Sequence, residues 1–120
     1  MPGASAYLEF LLDWLNPMGE ITARAMFGGH CLYCDGVVFA LIAHNTLYLK
    51  VDGQTRPRFE ALGLQAFQPF ADRAEVMQYY QPPPEFFENA DAMSDWAGAA
   101  IETGRRARMK KKPGTARRLR

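Results

Sequence analysis

His30, Cys31 and Cys34, with His44 nearby, are the residue types that bind zinc or exchange disulfides, and Cys31-x-x-Cys34 has a spacing used for both. Their setting opposes either use. The flanking residues read as β-strand, and positions three apart on a strand point to opposite faces, so a sheet would separate the sulfurs. A redox pair sits where a helix N-terminus lowers the thiol pKa, and a structural zinc needs four convergent ligands. The expectation is two buried free thiols, no metal and no cofactor. Gly28-Gly29 lacks the Gly-Lys-Ser/Thr and the strand-loop-helix setting of a phosphate loop. A close backbone approach or a β-bulge is the expected use. No carboxylate pairs recognisably with a His or Ser, so no catalytic residue is assigned.

The strongest charge signal lies elsewhere. Residues 105–120 hold nine basic and no acidic side chains: Arg105, Arg106, Arg108, Lys110, Lys111, Lys112, Arg117, Arg118 and Arg120. Residues 1–104 hold five basic and all 13 acidic ones, a net of −8 that the overall +1 conceals. Clustered cations release condensed counterions from a phosphate backbone, which gives affinity with little base discrimination. No aromatic residue interrupts the run, so it lacks stacking platforms. A non-specific nucleic-acid arm is one reading. The other is a solvated tail that keeps the domain soluble or folds back on its acidic surface. Pro113-Gly114-Thr115 and the charge density predict a disordered end, with the last helix fraying after Met109.

The elements that must position these residues follow from turn chemistry and periodicity. Residues 24–52 read as three antiparallel strands. Asp35-Gly36 suits a type I′ turn and pairs Cys34 with Val37, Tyr33 with Val38, Leu32 with Phe39 and Cys31 with Ala40. His44-Asn45 makes the second turn and pairs Ala43 with Thr46, Ile42 with Leu47 and Leu41 with Tyr48. The unbroken apolar run of residues 37–43 marks the middle strand. One sheet face then carries Cys31, Tyr33, Val38, Ala40, Ile42, Leu47, Leu49 and Val51 and should meet helices. The other carries His30, Leu32, Cys34, Phe39, Leu41, Tyr48 and Lys50.

Around this meander, residues 4–16 read as a helix whose apolar arc of about 200° favours burial on two sides. Residues 55–62 form a short helix that Gly63 can end. Residues 67–70 and 76–80 suit a second hairpin, with Pro69 confining its first strand to an edge. Pro82-Pro83-Pro84 forces an extended crossover before a last helix capped near Asn89 or Asp91. The expected fold is α+β, a five-stranded antiparallel sheet in the order α-β-β-β-α-β-β-α, with a domain at 1–104 and the basic tail at 105–120.

Arg24, Met26-Phe27-Gly28-Gly29, Leu32-Tyr33, Gly36, Phe39 and Leu47-Tyr48-Leu49-Lys50 form an ordered series. It continues through Thr55-Arg56, Phe59, Gly63, Tyr79-Tyr80 and Pro82-Pro83-Pro84-Glu85. The series, covering roughly residues 5–104, resembles the N-terminal domain of the TfoX/Sxy family. Cys31 departs from it, standing where the family commonly has Gly. The resemblance implies a secretion-chaperone-like α/β domain from bacterial regulators of natural competence, which in full length carry a second domain for which this chain has no room.

The functional expectation is a non-enzymatic regulatory or interaction domain that binds itself or a protein partner, with the arm adding nucleic-acid affinity. A homodimer is expected from the wide apolar arc of the first helix and the apolar centre of the second sheet face. The competing expectation is a small-ligand or enzymatic pocket between sheet and helices, drawing on Arg24, His30, Phe39, Leu41 and Tyr48. No run is long enough to span a bilayer, the first residues lack a signal-peptide pattern, and two cysteines point to a reducing compartment, so the expected location is cytoplasmic, away from membranes.

Overall fold

The computed structural model describes residues 2–26, 28–67 and 78–118. Its elements are α1 (Pro2–Trp14), β1 (Ile21–Met26), β2 (Gly29–Cys34), β3 (Val37–Ala43), β4 (Thr46–Lys50), α2 (Arg56–Ala61), β5 (Tyr79–Tyr80) and α3 (Ala90–Arg118), with 3₁₀ turns at Asn16–Met18 and Pro84–Phe87. The five strands form one antiparallel sheet in the order β1-β2-β3-β4-β5. This is the α+β fold expected, with one strand placed differently. β1 is a separate strand whose residues 24–26 were expected to open the first strand of the meander, so the order is α-β-β-β-β-α-β-α. Only Ile21 and Thr22 in its sequence Ile-Thr-Ala-Arg-Ala-Met are β-branched, and pairing with β2 carries the strand through the rest. The expected hairpin of residues 67–70 and 76–80 falls largely outside the described residues. Within them, Ala66 bridges Tyr80 and the Phe67 N–H donates to the Tyr79 carbonyl.

Both turns behave as their residues dictate. Asp35 and Gly36 have φ of 50° and 84°, His44 and Asn45 of 52° and 56°, the left-handed values a type I′ turn needs. The β3–β4 register is the expected one. The β2–β3 register holds at Cys34↔Val37 and Tyr33↔Val38, then shifts between Leu32 and Tyr33, so that Leu32 opposes Ala40 and Cys31 opposes Leu41. Phe39 is the extra residue of a β-bulge. A one-residue slip exchanges the faces of everything beyond it, and the expected assignment of β2 is therefore corrected. Leu32, Cys34 and Phe39 join Ala40, Ile42, Leu47, Leu49 and Val51 in the core, while Cys31, Tyr33 and Val38 lie outside that cluster. Gly29 is where the backbone comes close: a Cβ there would lie 2.1 Å from the Ile42 carbonyl oxygen.

The helices cover this inner face. Leu11 of α1, Leu15 just after it, Phe59 of α2, Phe86, and Met93, Trp96, Ala97, Ala100 and Ile101 of α3 belong to the same buried cluster. Trp14 Nε1 donates to the Phe86 carbonyl at 3.0 Å, fixing α1 to the segment before α3. The Asn89 side-chain oxygen accepts from the Ala92 N–H at 2.7 Å, the cap the sequence predicts for α3. α3 then runs past Met109, through Pro113 and Gly114, to Arg118, where fraying was expected. Met109 to Lys112 before Pro113, Ala116 to Arg118 after Thr115, and cations toward a helix C-terminus favour that continuation, against Pro113 and Gly114. Gly104 and Arg105 therefore stand within one helix, with no linker between them.

Candidate functional site

The root of the basic segment is built by three pieces of chain. After β4 the backbone turns at Asp52, whose carboxylate accepts from the N–H groups of Gln54 (3.0 Å) and Thr55 (3.3 Å), while the Asp52 N–H donates to Thr55 Oγ1 at 3.1 Å. This Asx-type turn launches α2. The same carboxylate faces α3. Arg106 Nε donates to Asp52 Oδ2 at 2.9 Å and Arg106 Nη2 to Oδ1 at 3.2 Å, a bidentate pair. Arg106 Nη2 also donates to the hydroxyl of Thr103, which is 1% exposed and itself donates to the Ala99 carbonyl at 2.9 Å. Arg106 is thus held from two sides, and it holds α3 to the β4–α2 turn.

An open groove of about 850 Å³ lies beside this pair. Asp52, Arg56 and Gln78 line one wall, and Glu102, Arg105 and Arg106 of α3 line the other. Arg56 donates to the Gln78 side-chain oxygen. Arg105 Nη1 donates to Glu102 one turn earlier at 2.6 Å, a pair in which both side chains are about half exposed. Lys50, which also lines the groove, has its Nζ 5.1 Å from the centre of the Tyr79 ring. The sequence names five cations within residues 1–104, and two of them, Lys50 and Arg56, stand at the root of the arm.

The Arg106 guanidinium beside Asp52 holds its carboxyl below the usual carboxylate range, against a smaller opposing effect of burial. A depressed carboxylate pKa gives stability that is present above the unfolded value of about 3.9 and is lost as pH falls through the folded value. The melting-temperature gap between the wild-type chain and Asp52→Asn is accordingly expected to be open at neutral pH and to close below about pH 4. A gap of constant size down to strong acid would show that the carboxylate charge is not what Arg106 uses.

The expected site residues separate into three groups. Arg105, Arg106 and Arg108 belong to α3, with Arg106 engaged by the domain. Lys110, Lys111, Lys112, Arg117 and Arg118 lie on the same helix by backbone, and Arg120 is outside the described residues. The expected pocket does not assemble as one set. Arg24, Cys31, Leu41 and Tyr48 form a single cross-strand row on the sheet face away from the core. Phe39 is fully buried on the opposite, helix-covered face, and alternation with Leu32 and Cys34 puts His30 on that face too.

The two thiols are likewise divided by the sheet. Cys31 Sγ lies 3.1 Å from Met26 Sδ, whereas Cys34 Sγ lies 3.5 Å from the Met18 carbonyl. Burial pushes both thiols up, which suppresses thiolate chemistry at neutral pH. Burial, followed by the neighbouring Cys31 and Tyr33, pushes Tyr79 to about 12.

The groove itself escaped the sequence. Its walls come from residues far apart in the chain, with Asp52 and Arg106 separated by 54 positions. The legible signal was the Asp52-x-x-Thr55 turn motif, which announces a cap and not a partner.

Two comparisons with known proteins bear on this architecture. The family model of the TfoX N-terminal domain matches residues 13–103. DNA transformation protein TfoX1 of Aliivibrio fischeri (strain ATCC 700601 / ES114) is 30% identical over 113 residues, which cover 93% of this chain and 54% of that protein. The chain thus spans about half the length of the curated relative it matches. The family match stops just short of Arg105, so the basic segment lies beyond it.

Proposed function

Because the chain belongs to the TfoX N-terminal domain family, and is thus a competence-regulator-like domain, we propose that it is a non-catalytic cytoplasmic interaction module that meets nucleic acid through the basic end of α3. The observation that carries this reading is the continuity of α3. Its first turns are anchored in the core through Met93, Trp96, Ala97, Ala100 and Ile101, and the same helix continues as the run of cations. The bidentate Arg106–Asp52 pair fixes the point where one becomes the other. Cations on a helix set by a packed domain meet a polyanion in a restricted geometry, which lowers the ordering cost of binding relative to a free tail. Contacts of this kind read phosphate and not sequence. The relative's name ties that protein to DNA transformation; a role for this chain in the same process is part of the proposal. The test is fluorescence anisotropy of the full chain with two labelled duplexes of unrelated sequence. Binding of both with similar affinity supports the reading, and binding of neither at low salt removes it.

Self-association is the second part of the reading. Phe10 on α1 is 42% exposed, and its ring lies 6.2 Å from Trp14 and 6.5 Å from Phe87. An aromatic patch of this kind gains from being covered, and a second copy of the chain is the proposed cover. Sedimentation at high micromolar concentration is expected to give a dimer, and Phe10→Ser to shift it to monomer. A monomeric wild-type chain would reject this part.

A further inference from the structure

We propose that the groove at the root of the arm seats one backbone phosphate of a nucleic acid, held by Arg56 and Arg105, so that the domain and the arm grip the same strand. The proposal rests on the arm reading above and adds to it a contact from the domain itself.

The charges around the groove point this way. Among the described residues four cations line it, Lys50, Arg56, Arg105 and Arg106, against two carboxylates, Asp52 and Glu102. It is therefore a net positive site on a domain whose residues 1–104 sum to −8. The carboxylates differ in availability. Asp52 is committed to Arg106 through two hydrogen bonds and to the turn through three more. That pair cancels its own charge and forms a rigid wall. Glu102 pairs with Arg105 on the surface, both about half exposed, and exposed ion pairs are weak enough to exchange for a better anion. Arg56 meets two neutral groups, the side-chain oxygen of Gln78 and the hydroxyl of Tyr80, and neither cancels its charge. A guanidinium suits a phosphate because its fork matches two phosphate oxygens.

Continuity selects a polymer over a free anion. The helix that forms one wall carries Arg108, Lys110, Lys111 and Lys112 within its next two turns. A nucleic-acid backbone can occupy the groove and follow those turns, whereas inorganic phosphate can use the groove alone.

The experiment measures duplex affinity against salt for the full chain and for Arg56→Gln, Arg105→Gln and Arg24→Gln. The last removes an equal charge from the exposed sheet face. Loss of one phosphate contact reduces the slope of log affinity on log salt by about 0.9, which is roughly an eight-fold loss at 0.1 M salt. That result is expected for Arg56→Gln and Arg105→Gln, with Arg24→Gln matching the wild-type chain. If Arg56→Gln also matches wild type while neutralising the arm abolishes binding, the seat is overturned and the arm reading stands. If the wild-type chain binds no duplex, both fall. Side-chain Nε–H resonances of Arg56 and Arg105, followed by NMR, check the site directly. Shifts on adding duplex support the seat, and shifts with inorganic phosphate but not with duplex would replace it with a small-anion site.

Discussion

Gly104→Ala is expected to destabilise the protein by about 2 kcal/mol, within the usual range for overpacking a core, and to lower its melting temperature by roughly 5–10 °C for a domain of this size. A substitution from Gly to Ala inside a helix ordinarily stabilises by up to about 1 kcal/mol, because Gly loses more backbone freedom on folding. Here the contact outweighs the propensity. A Cβ on Gly104 would come 2.3 Å from the Val38 carbonyl oxygen and 2.8 Å from Val37 Cγ1. A carbonyl in the middle strand cannot turn aside as a side chain can, so α3 must lift from β3. Gly98, two turns earlier in the same helix, is the control. Its added Cβ would meet Met18 Cε at 3.7 Å, an ordinary contact, so Gly98→Ala is expected to be neutral or mildly stabilising. Chemical denaturation of both variants checks the pair of signs. Equal stability of the two would mean that α3 does not cross β3 as closely as described, and the root of the arm would then have to be placed anew.

The second large effect concerns affinity. Replacing Lys110, Lys111, Lys112, Arg117, Arg118 and Arg120 by Gln removes six of the nine cations and leaves Arg105, Arg106 and the core untouched. Binding at low salt is expected to fall by at least about 10³, since six phosphate contacts account for roughly that change in affinity between 50 and 200 mM salt. The variant should melt as the wild-type chain does, because the buried cluster of the described residues ends at Ile101, before the first of the six. Undiminished duplex binding would place the nucleic-acid surface elsewhere on the domain.

What was legible in the sequence, and what was not, divides along a physical line. Asp35-Gly36 and His44-Asn45 announced their turns because left-handed backbone is a local property of those residues. The β3–β4 register followed from the second turn. The bulge at Phe39 was not legible, since it is chosen by which side chains fill the space under α1 and α3, and that choice exchanges the faces of β2. β1 as a separate strand was not legible for a related reason: residues 24–26 read as the start of the meander's first strand, and only their pairing with β2 sets β1 apart. The site shows the same split. The nine cations are a matter of composition, but Arg106 reaching Asp52, and Arg56 standing across the groove from Arg105, depend on how α3 lies over the sheet.

The central claim is that α3 carries a phosphate-binding arm rooted in the domain. Its most direct test is the salt dependence of duplex affinity for the full chain. With six or more phosphate contacts, a plot of log affinity against log salt is expected to be linear with a slope near −5 or steeper. A slope near zero, or binding that survives at high salt, would show that the cations of residues 105–120 do not meet the phosphate backbone, and would leave them as a solvated tail.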